Sequence, residues 1–425
     1  MTKRTGINRR KVIKGASALL AMPALFKVTQ ASAQTPVFKI GYVSPQTGPL
    51  AGFAEADGYI LSGVRKALAG IKSNGKPVDV TIVAKDSQSS SNRAAEVATE
   101  LIEKDKVNLL LATGAPDNTN PVADQAELSE VPCVTSISPW QPYFFGRNGD
   151  PAKGFKWTYH FFWGLEDVIA NYLGVWKQTG LKPGKIGGLF PNDADGNAWG
   201  DKERGFAKPL AAAGYSIVDP GRYQVINNDF TAQITAFKEA GCEIVTGNMI
   251  PPDFATFWSQ AAQQGFKPKV VTIGKALLFP SVIESLGDRG DGLTTEIWWS
   301  PSHPFTSSLT GESAKVIADG FTTASGKQWT QPIGFNHALF EVAADVIKRT
   351  ADLSDSNAVL DAIVKTNLNT VVGPIAWKGQ PVKNVVRTPL VGGQWQKING
   401  RSELIITYNG EAPQIPVGGK LKLIG

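Results

Sequence analysis

The side chains able to do covalent or metal chemistry are few and scattered. The chain has three histidines, His160, His303 and His337, and none has a second His or Cys at metal-ligand spacing. No G-x-S-x-G turn presents a nucleophile, no G-x-x-x-x-G-K-[ST] loop cradles a phosphate, and no complete G-x-G-x-x-G follows a predicted strand. The run Asn192-Asp193-Ala194-Asp195-Gly196-Asn197 partly resembles a calcium loop. Its Gly falls too early, however, and Arg204 stands where the bidentate Glu would be, so a polar turn shaping a cleft is expected instead. Cys133 and Cys242 fall in different halves of the chain and are expected to be small buried thiols rather than a bridge. Neither a metal nor a cofactor is expected. The remaining chemistry is recognition by aromatic and small polar side chains in the loops that follow predicted strands.

Those loops are positioned by alternating β and α elements. Apolar runs that read as buried strands are Phe38–Val43, Val78–Ala84, Val107–Ala112 and Val131–Ile137, then Lys185–Phe190, Tyr215–Val218, Glu243–Gly247 and Val270–Gly274. Helical periodicity fills the gaps, as at Ala54–Ile71, Arg93–Asp105, Pro121–Glu130, Asp167–Thr179, Lys202–Ala213, Phe230–Ala240 and Phe254–Gln264. The alternation predicts an α/β fold with parallel sheets covered by helices on both faces. An irregular segment rich in Gly, Pro and aromatics, Ser138–Trp163, divides the two βα series and reads as a crossing between lobes. Helices are expected again at Ser307–Ala324, Asn336–Arg349 and Ser356–Thr366, followed by Thr370–Trp377 and a weakly periodic tail, Asn409–Gly425.

Residues 1–33 read as an export leader. Arg9-Arg10-Lys11-Val12-Ile13-Lys14 resembles a twin-arginine signal, the stretch Gly15–Phe26 is apolar, and Ala31-Ser32-Ala33 supplies a small-x-small cleavage site. The apolar stretch is too short and too interrupted to span a membrane. The leader holds seven Lys/Arg and no acid, so the net charge of +6 falls to about −1 for the mature chain. The basic balance therefore belongs to the leader and gives no reason to expect a nucleic-acid partner. A soluble periplasmic product exported by the twin-arginine machinery is expected.

The opening Lys39-Ile40-Gly41-Tyr42-Val43-Ser44-Pro45-Gln46-Thr47-Gly48-Pro49-Leu50-Ala51-Gly52 is a strand end, a tight turn and a helix start. It resembles the start of the branched-chain amino-acid binding protein family, the periplasmic receptors of ATP-driven (ABC) importers. Gly75–Val80 with Lys85-Asp86-Ser87-Gln88, Glu100–Val107 and Val371-Val372-Gly373-Pro374-Ile375-Ala376-Trp377 resemble later landmarks of the family in the same order. The resemblance implies a type I periplasmic binding fold: two Rossmann-like lobes with parallel central sheets, joined by three crossings. Residues 34–158 with 299–385 would form one lobe, and 159–298 with 386–425 the other. It also implies a non-enzymatic receptor that closes on a small molecule and docks on a membrane permease, as a monomer or weak dimer.

In such a fold the ligand meets loops at the C-terminal ends of strands, here Ser44–Phe53, Thr113–Thr119, Ser138–Phe145, Pro191–Trp199, Asn248–Asp253 and Lys275–Leu278. The candidate ligand-binding residues are Ser44, Gln46, Phe53, Asp117, Asn118, Thr119, Trp140, Gln141, Trp163, Asn197, Trp199, Asn248 and Ala276. By the resemblance, Thr119 keeps a family Thr, Trp199 replaces a Tyr that faces ligand, and Phe53 matches an aromatic near the cleft. Pro116 and Pro139 stand where hydroxyls approach an amino-acid carboxylate, and Ala276 stands where an acid would pair the ammonium. An α-amino acid needs both charges matched once buried. The expected ligand is therefore an uncharged or monoanionic, ring-bearing or apolar molecule such as an aromatic acid. A branched-chain or other amino-acid or amide receptor is the alternative within the family. A ligand sensor of the same fold, or a periplasmic α/β hydrolase using His160, is the alternative outside it.

Overall fold

A computed structural model describes residues 35–424, so the expected leader lies outside the described residues. In chain order the strands of the two main sheets are β1 Val37–Ser44, β2 Asp79–Asp86, β3 Leu109–Ala112, β4 Cys133–Ser136, β5 Thr158–Phe161, β6 Lys185–Leu189 and β7 Ser216–Val218. They continue with β8 Ile244–Met249, β9 Val270–Lys275, β10 Thr294–Ile297, β11 Val385–Val386, β12 Val391–Ile398 and β13 Arg401–Tyr408. The first sheet has the order β11-β5-β4-β3-β1-β2 and is parallel throughout. The second has the order β13-β12-β10-β9-β8-β6-β7, with β12 and β13 added antiparallel at one edge.

The central strands are short, largely apolar runs buried at every position, as in Leu109–Ala112 and in Ile244–Met249, where Thr246 and Asn248 interrupt the run. Only a sheet covered on both faces buries a strand in that way. The helix Pro332–Arg349 starts with Pro at its first turn, where the missing N–H has no intrahelical partner to lose, and it is buried along most of its length. Beside the C-terminal end of β1, Asp57 accepts hydrogen bonds from Tyr42 Oη (3.0 Å), Ser44 Oγ (2.6 Å) and Asn336 Nδ2 (3.1 Å). Burial nevertheless pushes its carboxyl up to about 6, against the pull of these three donors.

Three parts of the chain differ from the sequence expectation. Ser138–Trp163 is not wholly irregular: it contains a short helix, Trp140–Phe145, and then β5, which pairs with β4 and β11. Four residues are too few to show a period, so β5 was hidden, and the chain leaves the first sheet only after Phe161. Thr370–Trp377 forms part of an antiparallel hairpin of Asn367–Thr370 with Gly373–Ala376. The β12–β13 hairpin has no apolar run at its start because Gly392 and Gly393 sit there. A Cβ on Gly392 would lie 2.4 Å from Val175 Cγ2, and one on Gly393 2.2 Å from Ile297 Cδ1, so close packing requires glycine. Both cysteines are free and buried, Cys133 in β4 and Cys242 just before β8.

Candidate functional site

Three connections pass between the sheets: after β5, after β10 and between β11 and β12. Two of them are tied together by Arg387, whose guanidinium pairs with Asp167 and lies 3.3 Å from Glu166 Oε1. Beside these connections, where β3, β4, β8, β9 and β10 end, a narrow cavity of about 30 Å³ lies between the lobes. This is far below the roughly 300 Å³ of ordinary small-molecule sites, so admitting a ring requires the lobes to part. Phe53, Ala115, Ile137 and Pro139 line it from the first lobe. Phe162, Trp163 and Trp298 line it from the crossings, and Asp195, Trp199, Asn248, Lys275, Leu278 and Glu296 from the second lobe.

The backbone at this cavity is strained. Ala115 has φ 70° and ψ 158°, a region that suits only glycine. Ile137 has φ 60° despite its β-branch, and Lys275 has φ 60° and ψ −71°. These three follow or end β3, β4 and β9, and Ala115 N–H donates to the Ile137 carbonyl at 2.8 Å. Strain of this kind persists where the surroundings over-determine a geometry. Ala115→Gly is therefore expected to raise the unfolding free energy by about 1 kcal/mol, the relief of strain exceeding the added freedom of the unfolded chain. Urea denaturation checks the sign; a destabilised variant would mean that Ala115 carries no strain.

The acidic turn after β6 finds its cation within the protein. Lys275 Nζ lies 3.0 Å from Asp193 Oδ2 and 2.8 Å from Asp195 Oδ2. Burial opposes the ammonium charge, but Asp193, then Asp195 and Asp117, outweigh it and hold Lys275 protonated with a raised pKa. Asp195 is raised as well, because its burial exceeds the pull of Lys275 and the nearby Asp193 adds to it. Asp193 Oδ1 also accepts from the Gly196 N–H at 2.6 Å and caps the short helix Ala194–Trp199. Among the described residues no cluster of His, Cys, Asp and Glu fit to hold a metal is present.

Glu296 is buried beside Gly274. Burial lifts its carboxyl to about 7, although the Tyr172 hydroxyl and Thr295 Oγ1 donate to Oε2. A Cβ on Gly274 would lie 3.1 Å from both Glu296 Oε1 and Trp199 Cη2, so glycine leaves the two side chains room to share one wall. Several lining groups have no hydrogen-bond partner among the described residues: Trp163, Trp199 and Trp298 Nε1, Asn248 Nδ2 and Oδ1, and Asp195 Oδ1. Buried polar atoms are normally paired, so these groups leave hydrogen-bonding capacity at the wall.

Of the thirteen candidates from the sequence, the cavity brings together Phe53, Trp163, Trp199 and Asn248. The others lie outside its lining. Ser44 is committed to Asp57, and Gln46 is exposed with its amide 3.4 Å from Ser44 Oγ. Asn118 donates to the Thr113 carbonyl and Thr119 Oγ1 to the Ala115 carbonyl at 3.2 Å, so both serve the turn itself. Asp117 is half-buried and close enough to act on Lys275, yet not on the wall. Trp140 Nε1 donates to Glu166 at 2.9 Å and Gln141 Oε1 accepts from the Leu165 N–H at 2.7 Å; both hold the first crossing. Asn197 is exposed, its amide 3.3 Å from Asn192 Oδ1. Ala276 is fully buried, and its neighbour Lys275 faces the cavity in its place. His160 is buried outside the cavity, its Nε2–H donating to the Ser138 carbonyl at 2.7 Å and its Nδ1 2.8 Å from Thr135 Oγ1. Burial pushes its pKa down to about 3, so it is a neutral core residue.

Sequence reasoning missed Asp195, Lys275 and Glu296 as wall residues and passed over Phe162. Glu296 left a trace, a lone acid inside the run Leu293–Trp299.

Two α/β lobes, three crossings and a polar-edged aromatic cavity between the strand ends define the bilobed fold of the type I periplasmic binding proteins. The family described as periplasmic binding protein matches residues 37–398, and the chain belongs to that family, one of solute-binding receptors rather than enzymes. A leucine-binding protein from Thermotoga maritima is similar at 20% identity and a TM-score of 0.69, covering 88% of this chain and 99% of its own. A solute-binding protein of an ABC transporter from Rhodopseudomonas palustris BisB5, in complex with 3,4-dihydroxybenzoic acid, matches at 19% and 0.70, covering 88% and 96%. Another from R. palustris, in complex with 4-hydroxybenzoate, matches at 18% and 0.70 with the same coverage. These likenesses establish the fold.

Proposed function

We propose that this chain is an exported periplasmic receptor that captures a small, ring-bearing or apolar molecule between its lobes and delivers it to an ABC import permease. The observation that carries the reading is the cavity at the crossings, walled by Phe53, Phe162, Trp163, Trp199 and Trp298 and edged by unpartnered polar groups. Aromatic walls with a few fixed polar atoms suit a small ring. Phe53, Trp163, Trp199 and Asn248 are the ligand contacts assigned here from the sequence candidates. The leader motif at residues 1–33 supports twin-arginine export and a periplasmic address. In the proposed cycle the ligand binds one lobe, the crossings bend, and the closed form docks on the permease as a monomer or weak dimer.

Native mass spectrometry of the mature chain, purified without denaturation, tests this reading. A stoichiometric adduct of a ring-bearing or apolar small molecule is the expected result. A branched-chain amino acid as the adduct, with micromolar leucine binding by calorimetry, would keep the receptor and discard the ligand class. Turnover of the adduct would discard the receptor.

A further inference from the structure

We propose that the ligand of this cleft is an organic cation, an ammonium or amidinium on a small ring-bearing body, with Asp195 and Glu296 as its counter-charges and the three indoles as its walls. The inference rests on the receptor reading above and replaces the uncharged or monoanionic ligand expected from the sequence with a cationic one.

The argument begins with the charges at the cavity. Asp195, Lys275 and Glu296 are the charged side chains on its wall; Asp193 and Asp117 stand behind Lys275, and the Tyr172 hydroxyl stands behind Glu296. Three carboxyl groups thus act on one ammonium, and Glu296 lines the same wall. Lys275 is already shared between Asp193 and Asp195, so it has little left with which to balance a bound carboxylate. A carboxylate ligand would add a further negative charge to a buried site that already has an excess of them, and an unpaired buried charge is costly.

Hydrogen bonding points the same way. Asp195 is 3% exposed; its Oδ2 holds Lys275, while Oδ1 has no partner among the described residues. Glu296 Oε2 accepts from the Tyr172 hydroxyl and from Thr295 Oγ1, while Oε1, like Trp199 Cη2, flanks Gly274. Asp195 Oδ1 is therefore free to accept a hydrogen bond at the wall that Glu296 also lines. Trp163, Trp199 and Trp298 line the cavity with the ring type that attracts a cation most strongly, one face of Trp199 being stacked on Phe206. Their free Nε1–H groups, with Asn248, would serve an acceptor oxygen elsewhere on the same molecule. Burial raises both Glu296 and Asp195, and a bound cation would favour their ionised forms, so binding should release protons at mildly acid pH.

Calorimetry on the mature protein with benzylamine, benzyl alcohol, benzoate and L-phenylalanine tests the charge with the ring held constant. Benzylamine should bind at least tenfold more tightly than any of the other three. Its affinity should rise severalfold from pH 5.5 to 7.5, since the carboxyls must give up protons to receive it. Glu296→Gln should weaken benzylamine at least tenfold more than benzyl alcohol and flatten that pH profile, with the melting temperature showing that the variant folds. Benzoate or L-phenylalanine as the tightest probe, or equal affinity for the amine and the alcohol, overturns the charge assignment and leaves the receptor standing. Failure of all four probes, with no shift in melting temperature, overturns the ring-binding receptor and the charge assignment together.

Discussion

Lys275→Met should lower the unfolding free energy by about 3–5 kcal/mol at pH 8, because it leaves Asp193 and Asp195 buried without their cation. Lys275 is 6% exposed and holds both carboxylates within 3.0 Å, so water cannot replace it without opening the site. The loss should shrink as the pH falls. Asp195 already has a raised pKa, and removing Lys275 raises it further. A carboxyl whose folded pKa lies above its unfolded value stabilises the protein below the unfolded value and loses that contribution as the pH rises through the folded one. The variant's deficit should therefore be largest at pH 8 and smallest near pH 5. Asp193→Asn and Asp195→Asn added to Lys275→Met should recover much of the loss, since neutral amides need no counter-charge. Urea denaturation of the three forms at both pH values checks this. An equal loss at pH 5 and pH 8 would mean that the missing packing of the Lys275 stem, and not the stranded carboxylates, does the damage.

That cluster also shows where the sequence stops being legible. The two βα series can be read because each central strand is an apolar run between Gly or Pro breaks, and a run buried on both faces must be apolar. The aromatic content of the cleft can be read for a similar reason: Phe53, Trp163 and Trp199 lie at strand ends or crossings, where a large ring has few other uses. The charged wall cannot be read in this way. Lys275 meets Asp193 across 82 residues of sequence, and no local pattern records that pairing. The acids Asp193 and Asp195 look like a metal loop until the fold brings an ammonium to them. Small polar residues mislead in the opposite direction. Ser44, Asn118 and Thr119 sit in the right loops, but a short side chain close to its own backbone bonds there first, as Asn118 does to Thr113 and Thr119 to Ala115. Trp140 and Gln141 are caught by Glu166 and Leu165 because the chain leaves the first sheet only after Phe161, well beyond the Ser138 at which the composition starts the crossing.

Gly52→Val should hold the two lobes apart and weaken ligand binding at least ~tenfold, which corresponds to about 1.4 kcal/mol of closure energy. Gly52 belongs to the first lobe, in the turn Ala51–Ala54, and Phe279 to the second, just after β9. A Cβ on Gly52 would lie 2.9 Å from Phe279 Cε1 and 3.0 Å from Cδ1 and Cζ. Phe279 is 2% exposed and meets Phe53 edge-on at 5.2 Å between ring centroids, so its ring has no free direction in which to retreat. Relief comes most cheaply by opening the cleft, because neither sheet needs to change internally. Small-angle scattering should then show a larger radius of gyration for Gly52→Val, with an unfolding midpoint close to that of the unaltered chain. Phe279→Ala alone should also bind poorly, having lost the contact that closes over Phe53. Combining the two should restore closure in part, because the valine then occupies space vacated by the ring, and a coupling of that sign arises only if the residues meet. A double variant no more compact than Gly52→Val would mean that Gly52 and Phe279 do not meet in the closed protein in solution. In that event Phe53 would belong to the first lobe alone, and the cavity wall would be completed from the crossings and the second lobe.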